Sequence, residues 1–178
     1  VTIRIEQPDD RDAIQRVVAA AFQSNAEARL VDLIRSSPEY IPELALVAEQ
    51  DGEIVGHVMI SYALLDDGAR RDRIAMLSPL AVAPAFQGRG IGSSLVDEVT
   101  ARADDRGEPL VILEGSPQYY SRFGFEHSVR HGIHIILPSW APPEAAQVKR
   151  LRNYDPKLRG TAVYPPAFDA VTEREEVE

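Results

Sequence analysis

From Thr2 to Glu6 polar and apolar residues alternate, the period of a short strand. Pro8-Asp9-Asp10 then opens a helix with acids in its first turn, and Ile14, Val17, Val18, Ala21 and Phe22 fall on one helical stripe. Ser24-Asn25-Ala26-Glu27 has capping-box spacing and predicts a second helix, with Leu30, Leu33 and Ile34 as its apolar face and Ser36-Ser37-Pro38 as its end. The period then shortens. Leu44 to Gln50 and Glu53 to Leu65 read as strands joined at Asp51-Gly52, a two-residue hairpin signal. After the turn at Asp66-Asp67-Gly68, a third strand runs from Arg73 to Val82 and is closed by Pro84.

Gly90 to Arg106 returns to helical period, with Ile91, Leu95, Val96 and Val99 inward and Gly107 as the stop. Leu110-Val111-Ile112-Leu113 is uniformly apolar, as a strand covered on both faces must be. A short helix from Gln118 to Arg122 leads to Gly124-Phe125. Further strands are expected near Ile133–Leu137, Gln147–Leu151 and Thr161–Tyr164, with Trp140 in a proline-rich loop. A hairpin meander followed by strand, helix and parallel strand implies a mixed sheet, α/β or α+β. The chain reads as one domain: a core over 1–127, an extension over 128–168, and an acidic end over 169–178 that is expected to fray.

Composition narrows the function classes. The 178 residues include no cysteine, so disulfides, thiolate nucleophiles and thiolate metal sites are excluded. A formal net charge of −9 argues against a general nucleic-acid binder and means that an anionic ligand needs local donors. No apolar run is long enough for a membrane span, and the N-terminus lacks a secretory pattern, so a cytoplasmic location without membrane attachment is expected. His57, His127, His131 and His134 lack metal-ligand spacing, so no metal is expected.

The strongest chemical signal is Gln87-Gly88-Arg89-Gly90-Ile91-Gly92, between the apolar strand end Leu80-Ala81-Val82 and an amphipathic helix. Glycines there let a ligand reach the backbone, and a helix N-terminus presents unbonded N–H groups and a positive dipole end, a seat for a diphosphate. Arg89 adds a charged donor. The dinucleotide fingerprint fails at Ser93, and no Gly-Lys-Ser/Thr follows for a P-loop. Taken alone, the glycines are equally well read as shaping a turn.

Gln87-x-x-Gly90-x-Gly92, followed after one helix and one strand by Tyr119-Tyr120-Ser121-Arg122-Phe123-Gly124-Phe125, resembles the acyl-CoA signature of the GNAT superfamily of N-acetyltransferases. Phe22, Glu27, Ala28, Leu30 and Val31, Pro79-Leu80-Ala81-Val82, and Tyr164-x-x-Ala167-Phe168 extend the likeness over nearly the whole chain, toward the YhbS-like bacterial branch. The resemblance implies a GNAT-type fold: a mostly antiparallel central sheet with flanking helices and a parallel, splayed central pair. It implies acetyl-CoA as co-substrate. The backbone of Leu80, Ala81 and Val82 would pair with the pantetheine arm, and the amides of Gln87, Gly88, Arg89, Gly90, Ile91, Gly92 and Ser93 would hold the pyrophosphate. Tyr120 falls on the tyrosine that protonates the departing thiolate, with Tyr119 in reserve, whereas a plain aromatic cluster is what most such residues form.

No base is identified. The strand before Val82 offers Ala75, Met76, Leu77 and Ser78, without a carboxylate; Glu114 is the nearest acid and reads more simply as a solvated strand-end charge, and a water chain or an already neutral amine would also suffice. The expected activity is acetyl transfer to a small-molecule or peptide primary amine through a ternary complex. An acyl-CoA-binding regulatory module without turnover, or a helix end holding another phosphorylated ligand, are the competing readings. The acceptor stays undetermined, and exposed late strands leave a homodimer open.

Overall fold

The structure, a computed structural model, describes residues 1–171. From Thr172 onward the acidic end lies outside the described residues. The elements are β1 (Thr2–Ile5), α1 (Arg11–Phe22), α2 (Ala26–Arg35), β2 (Tyr40–Gln50), β3 (Glu53–Asp66), β4 (Arg71–Val82), α3 (Ile91–Asp105), β5 (Leu110–Glu114), α4 (Pro117–Tyr120), β6 (Glu126–His127), β7 (Ile133–His134), β8 (Ala146–Arg150) and β9 (Gly160–Val163). They divide into two compact units: Val1–Ser61 with Ser78–Arg102 and the segment from Pro165, and Tyr62–Leu77 with Ala103–Tyr164.

In the first unit β1 pairs antiparallel with β2, and β2 with the start of β3. Asp51 and Gly52 both take positive φ, 51° and 78°, the twist a two-residue hairpin needs to match its strands. Side chains alternate along β3, so Gly56 and His57 point to opposite faces. A Cβ on Gly56 would lie 2.9 Å from Leu95 Cδ1 and 3.3 Å from Ile91 Cγ2, so α3 is seated on β3 where a side chain is missing. On the other face buried His57 meets Glu6 and, through it, Arg35 of α2. Gly56→Val is expected to lower stability by about 1–3 kcal/mol through overpacking, read from the urea midpoint.

In the second unit the start of β4 pairs parallel with β5 at Ala75↔Val111 and Met76↔Ile112, as the crossover helix predicts. β5 continues antiparallel with β8 from Leu110↔Arg150 to Glu114↔Ala146. β8 also pairs with β6, and the end of β3 pairs with β9, both antiparallel, while β7 runs parallel to β9. The pairings are thus mixed and mostly antiparallel, the fold class expected from the chain.

Several local expectations fail. Phe22 and Leu33, assigned to buried helix faces, are 38% and 39% exposed; the buried stripes are narrower and consist of Ile14, Val17 and Val18 in α1 and Ala28, Leu30, Val31 and Ile34 in α2. No capping box forms at Ser24: α2 starts at Ala26, and Ser24 Oγ accepts from the Ala26 N–H at 3.0 Å, a bond that shapes the turn instead. The strand expected over Ile133–Leu137 is confined to Ile133–His134.

Candidate active site

Past β4 the chain makes a short 3-10 turn over Pro84–Phe86 and then an exposed loop, Gln87–Gly90, before α3. Gly88 and Gly90 hold φ of 77° and 83°, where an L side chain is strained, and a Cβ at either would meet nothing within 4 Å. The glycines therefore answer a backbone need, and they leave open space beside the main chain. At the helix start the Ser94 N–H donates to the Gly90 carbonyl, 3.0 Å. The N–H groups of Ile91 and Gly92 precede it and have no acceptor inside the helix. Arg89 extends from the same loop, its guanidinium carbon 5.2 Å from the centre of the Phe86 ring.

Gln87 has a role that its place in the motif does not announce. Its side-chain amide donates to the Val82 carbonyl at 3.0 Å and clips the loop to the end of β4, while its backbone N–H donates to Pro84 at 3.4 Å. The Ala83 N–H bonds Val55 of β3 at 2.8 Å. Backbone groups alternate along a strand, so those of Leu80 and Val82 face the edge turned away from β3, whereas those of Ala81 face β3. Ala81 is buried through its side chain.

In the second unit β5 ends at exposed Glu114, and Gly115-Ser116 lead into α4. Ser116 caps α4, its Oγ accepting from the Tyr119 N–H at 3.4 Å. Gly124, at φ 88°, stops the following 3-10 turn. Tyr120 packs against Tyr119, with ring centres 4.9 Å apart, and against Phe125 at 5.7 Å. Burial, with a smaller push from Tyr119, raises its phenol to about 12, so it stays neutral and protonated throughout the physiological range. Tyr119 is committed to Arg122, whose guanidinium lies 4.7 Å from its ring centre.

Gly115 escaped notice in the sequence because its φ is unremarkable and no motif includes it. A Cβ there would lie 2.5 Å from Tyr120 Cε2. Its N–H donates to Ala145 at 3.0 Å, and its carbonyl accepts from Gln147 Nε2 at 2.9 Å, which fixes the surface that the Tyr120 ring lies on. Tyr164 donates to Glu114 Oε1 at 2.8 Å, a bond between residues 50 apart in the chain. Burial first, then the Glu114 charge, pushes the Tyr164 phenol far upward.

His57, set aside in the sequence as a metal ligand, is buried in the ion network with Glu6 and Arg35. Among the described residues no group of three or more histidine, aspartate or glutamate side chains is placed to hold a metal ion. No described helix is long and apolar enough to cross a membrane.

Residues 2–128 match the sequence profile of the acetyltransferase (GNAT) domain. The chain is 34% identical over 152 residues to the uncharacterized N-acetyltransferase YhbS of Escherichia coli K12, covering 85% of this chain and 87% of that protein. The crystal structure of Escherichia coli YhbS in complex with CoA matches with a TM-score of 0.83 at 32% identity, over 94% of this chain and 91% of that one. A GNAT family acetyltransferase from Brucella melitensis, solved in complex with acetyl-CoA, matches with a TM-score of 0.76 at 31% identity, over 94% and 97% of the two chains.

Proposed function

Because this chain belongs to the GNAT family of acetyl-CoA-dependent acyltransferases, with YhbS among its relatives, we propose that it transfers the acetyl group of acetyl-CoA to a primary amine by direct attack in a ternary complex, as one acetyltransferase domain. The observation that carries this reading is the open backbone at Gly88 and Gly90 leading into the N-terminus of α3. On this reading the amides from Gln87 to Ser93 and the Arg89 guanidinium hold the pyrophosphate. The edge of β4 at Leu80 and Val82, with Ala81 between them, takes the pantetheine arm as an added strand.

The amine nitrogen forms its bond to the thioester carbonyl carbon, the carbon–sulfur bond breaks, and the Tyr120 phenol gives its proton to the departing sulfur. With no cysteine in the chain, the commonest acyl-carrying nucleophile is missing, in keeping with direct transfer. Most of the acceleration then comes from holding amine and thioester together. A cytoplasmic location is the reading that suits an acetyl-CoA enzyme without cysteine.

Two measurements test the proposal. Calorimetric titration is expected to give tight binding of CoA and much weaker binding of ATP, since only CoA brings an arm for β4. A turnover screen with acetyl-CoA over alkylamines, polyamines, aminoglycosides and peptide amines is expected to release CoA with at least one acceptor. Equal affinity for ATP would return the helix end to the class of general phosphate sites. Tight CoA binding with no turnover on any amine would make the chain an acyl-CoA-binding regulatory module, a reading favoured by the absence of a carboxylate over Ala75–Ser78.

A further inference from the structure

Tyr120 sits in a segment that one strand grips at both ends. Upstream, the ladder between β5 and β8 stops at Glu114↔Ala146, and Gly115 is the next residue. Its N–H still reaches the Ala145 carbonyl at 3.0 Å, but its own carbonyl is past the ladder, and the side-chain amide of Gln147 donates to it at 2.9 Å. Downstream, after the turn at Gly124, β6 pairs with the same strand at Glu126↔Val148 and His127↔Gln147. Gln147 thus serves the segment twice, by its place in the ladder at one end and by its side chain at the other. That side chain is 2% exposed, between buried Ala146 and Val148. An amide in such surroundings is unfavourable unless bonded, so an aliphatic residue would suit β8 better if packing alone decided the position.

The Tyr120 ring rests on the backbone that Gln147 holds. A Cβ on Gly115 would lie 2.5 Å from Cε2 and 2.9 Å from Cδ2. The other neighbours, Tyr119 and Phe125, have ring centres 4.9 and 5.7 Å away; such contacts are attractive over a range of offsets and hold a ring less sharply. A shift of Gly115 is therefore carried to the hydroxyl at the far end of the ring. Building on the reading of Tyr120 as proton donor, we propose that Gln147 is a positioning residue for the transfer: its amide holds Gly115 in place and so sets where the phenol meets the departing sulfur. Gln147 exchanges no proton itself and acts through Gly115 and Tyr120. Ala145 and Gln147 both lie beyond residues 2–128, the span that matches the domain profile, so the extension supplies part of the seat of the proton donor.

Gln147→Met keeps the length of the side chain and removes the donor. It is expected to lower kcat by about tenfold to a hundredfold, the worth of a small misplacement of a reacting group, with the KM for acetyl-CoA unchanged. In a Tyr120→Phe background the same substitution should alter kcat by less than about twofold, since no proton is left to aim; a merely structural role would lower kcat in both backgrounds. A second readout needs no turnover. In protein labelled with fluorotyrosine, the fluorine resonance of Tyr120, identified by its absence from Tyr120→Phe, should shift in Gln147→Met while those of Tyr40 and Tyr62 stay in place. Movement of every resonance would mark a lost fold, and Gln147→Asn, which keeps the amide but falls short of Gly115, then makes the same test. An unmoved Tyr120 resonance, or equal losses of kcat in the two backgrounds, would overturn the proposal. A wild-type enzyme that turns over no amine, or one indifferent to Tyr120→Phe, removes the parent reading and this one with it. Full kcat for Gln147→Met in an enzyme that does depend on Tyr120 removes only the role of Gln147.

Discussion

Replacing Tyr120 by phenylalanine is expected to lower kcat by about a hundredfold or more while the Kd for CoA stays unchanged. The substitution deletes one hydroxyl and keeps the ring that packs on Tyr119 and Phe125, so folding and cofactor binding have no reason to move. Burial holds the phenol at about 12, which fixes the sign of the pH dependence. The donor form persists as pH rises, so the alkaline limb of kcat should not descend before that region. A companion variant reaches the same group without touching it. Gly115→Ala places a methyl where the ring already is, 2.5 Å from Cε2, and the ring must turn away. Its kcat should fall with Tyr120 chemically intact, again without loss of CoA affinity. Steady-state kinetics beside calorimetry checks both; wild-type turnover in the phenylalanine variant would take the proton-donor role from Tyr120.

The second large effect concerns stability. Glu6 accepts from Arg35 Nε at 2.6 Å and from His57 Nε2 at 3.0 Å, with all three side chains nearly or wholly buried. Burial alone would raise the Glu6 carboxyl, but the bonds from His57 and Arg35 outweigh it and bring it down to about 2. A lowered carboxylate stabilises the fold above its ordinary value of 4.5, and that contribution drains away as pH falls from 4.5 toward 2. Glu6→Ala is expected to cost about 2–3 kcal/mol at neutral pH, because buried His57 and Arg35 lose their shared carboxylate, while Arg35 keeps Asp32 at 2.7 Å from Nη1. Glu6→Gln should flatten the fall in stability across the acid window. Urea midpoints measured from pH 7 down to pH 2 test both, and parallel acid limbs for wild type and Glu6→Gln would show that other carboxylates govern acid unfolding.

What the sequence made legible follows from how far each signal reaches along the chain. The turn at Asp51-Gly52, the apolar run of β5 and the glycines before α3 are set within a few residues, and all three appear where local rules put them. The burial of Phe22 and Leu33 was misread because a helical stripe gives a direction, whereas its width is fixed by the strands it covers. Ser24 has the composition of a capping box, yet its hydroxyl has a nearer donor in Ala26. The bonds that shape the candidate site join Tyr164 to Glu114 and Gln147 to Gly115, and the buried network joins His57 to Glu6. Such pairs leave no periodic trace, since each depends on a strand register that the chain sets only on folding.

The Gln87 amide on the Val82 carbonyl bears on the energetics of the proposed cofactor edge. A pantetheine amide that reaches Val82 would dock on an acceptor already engaged, and would either share its two lone pairs with the internal donor or displace that donor. The enthalpy gained there would be small, and discrimination between CoA and a simple nucleotide would shift to the rest of the arm. The same bond occupies part of the acceptor that a stray strand would use at Val82.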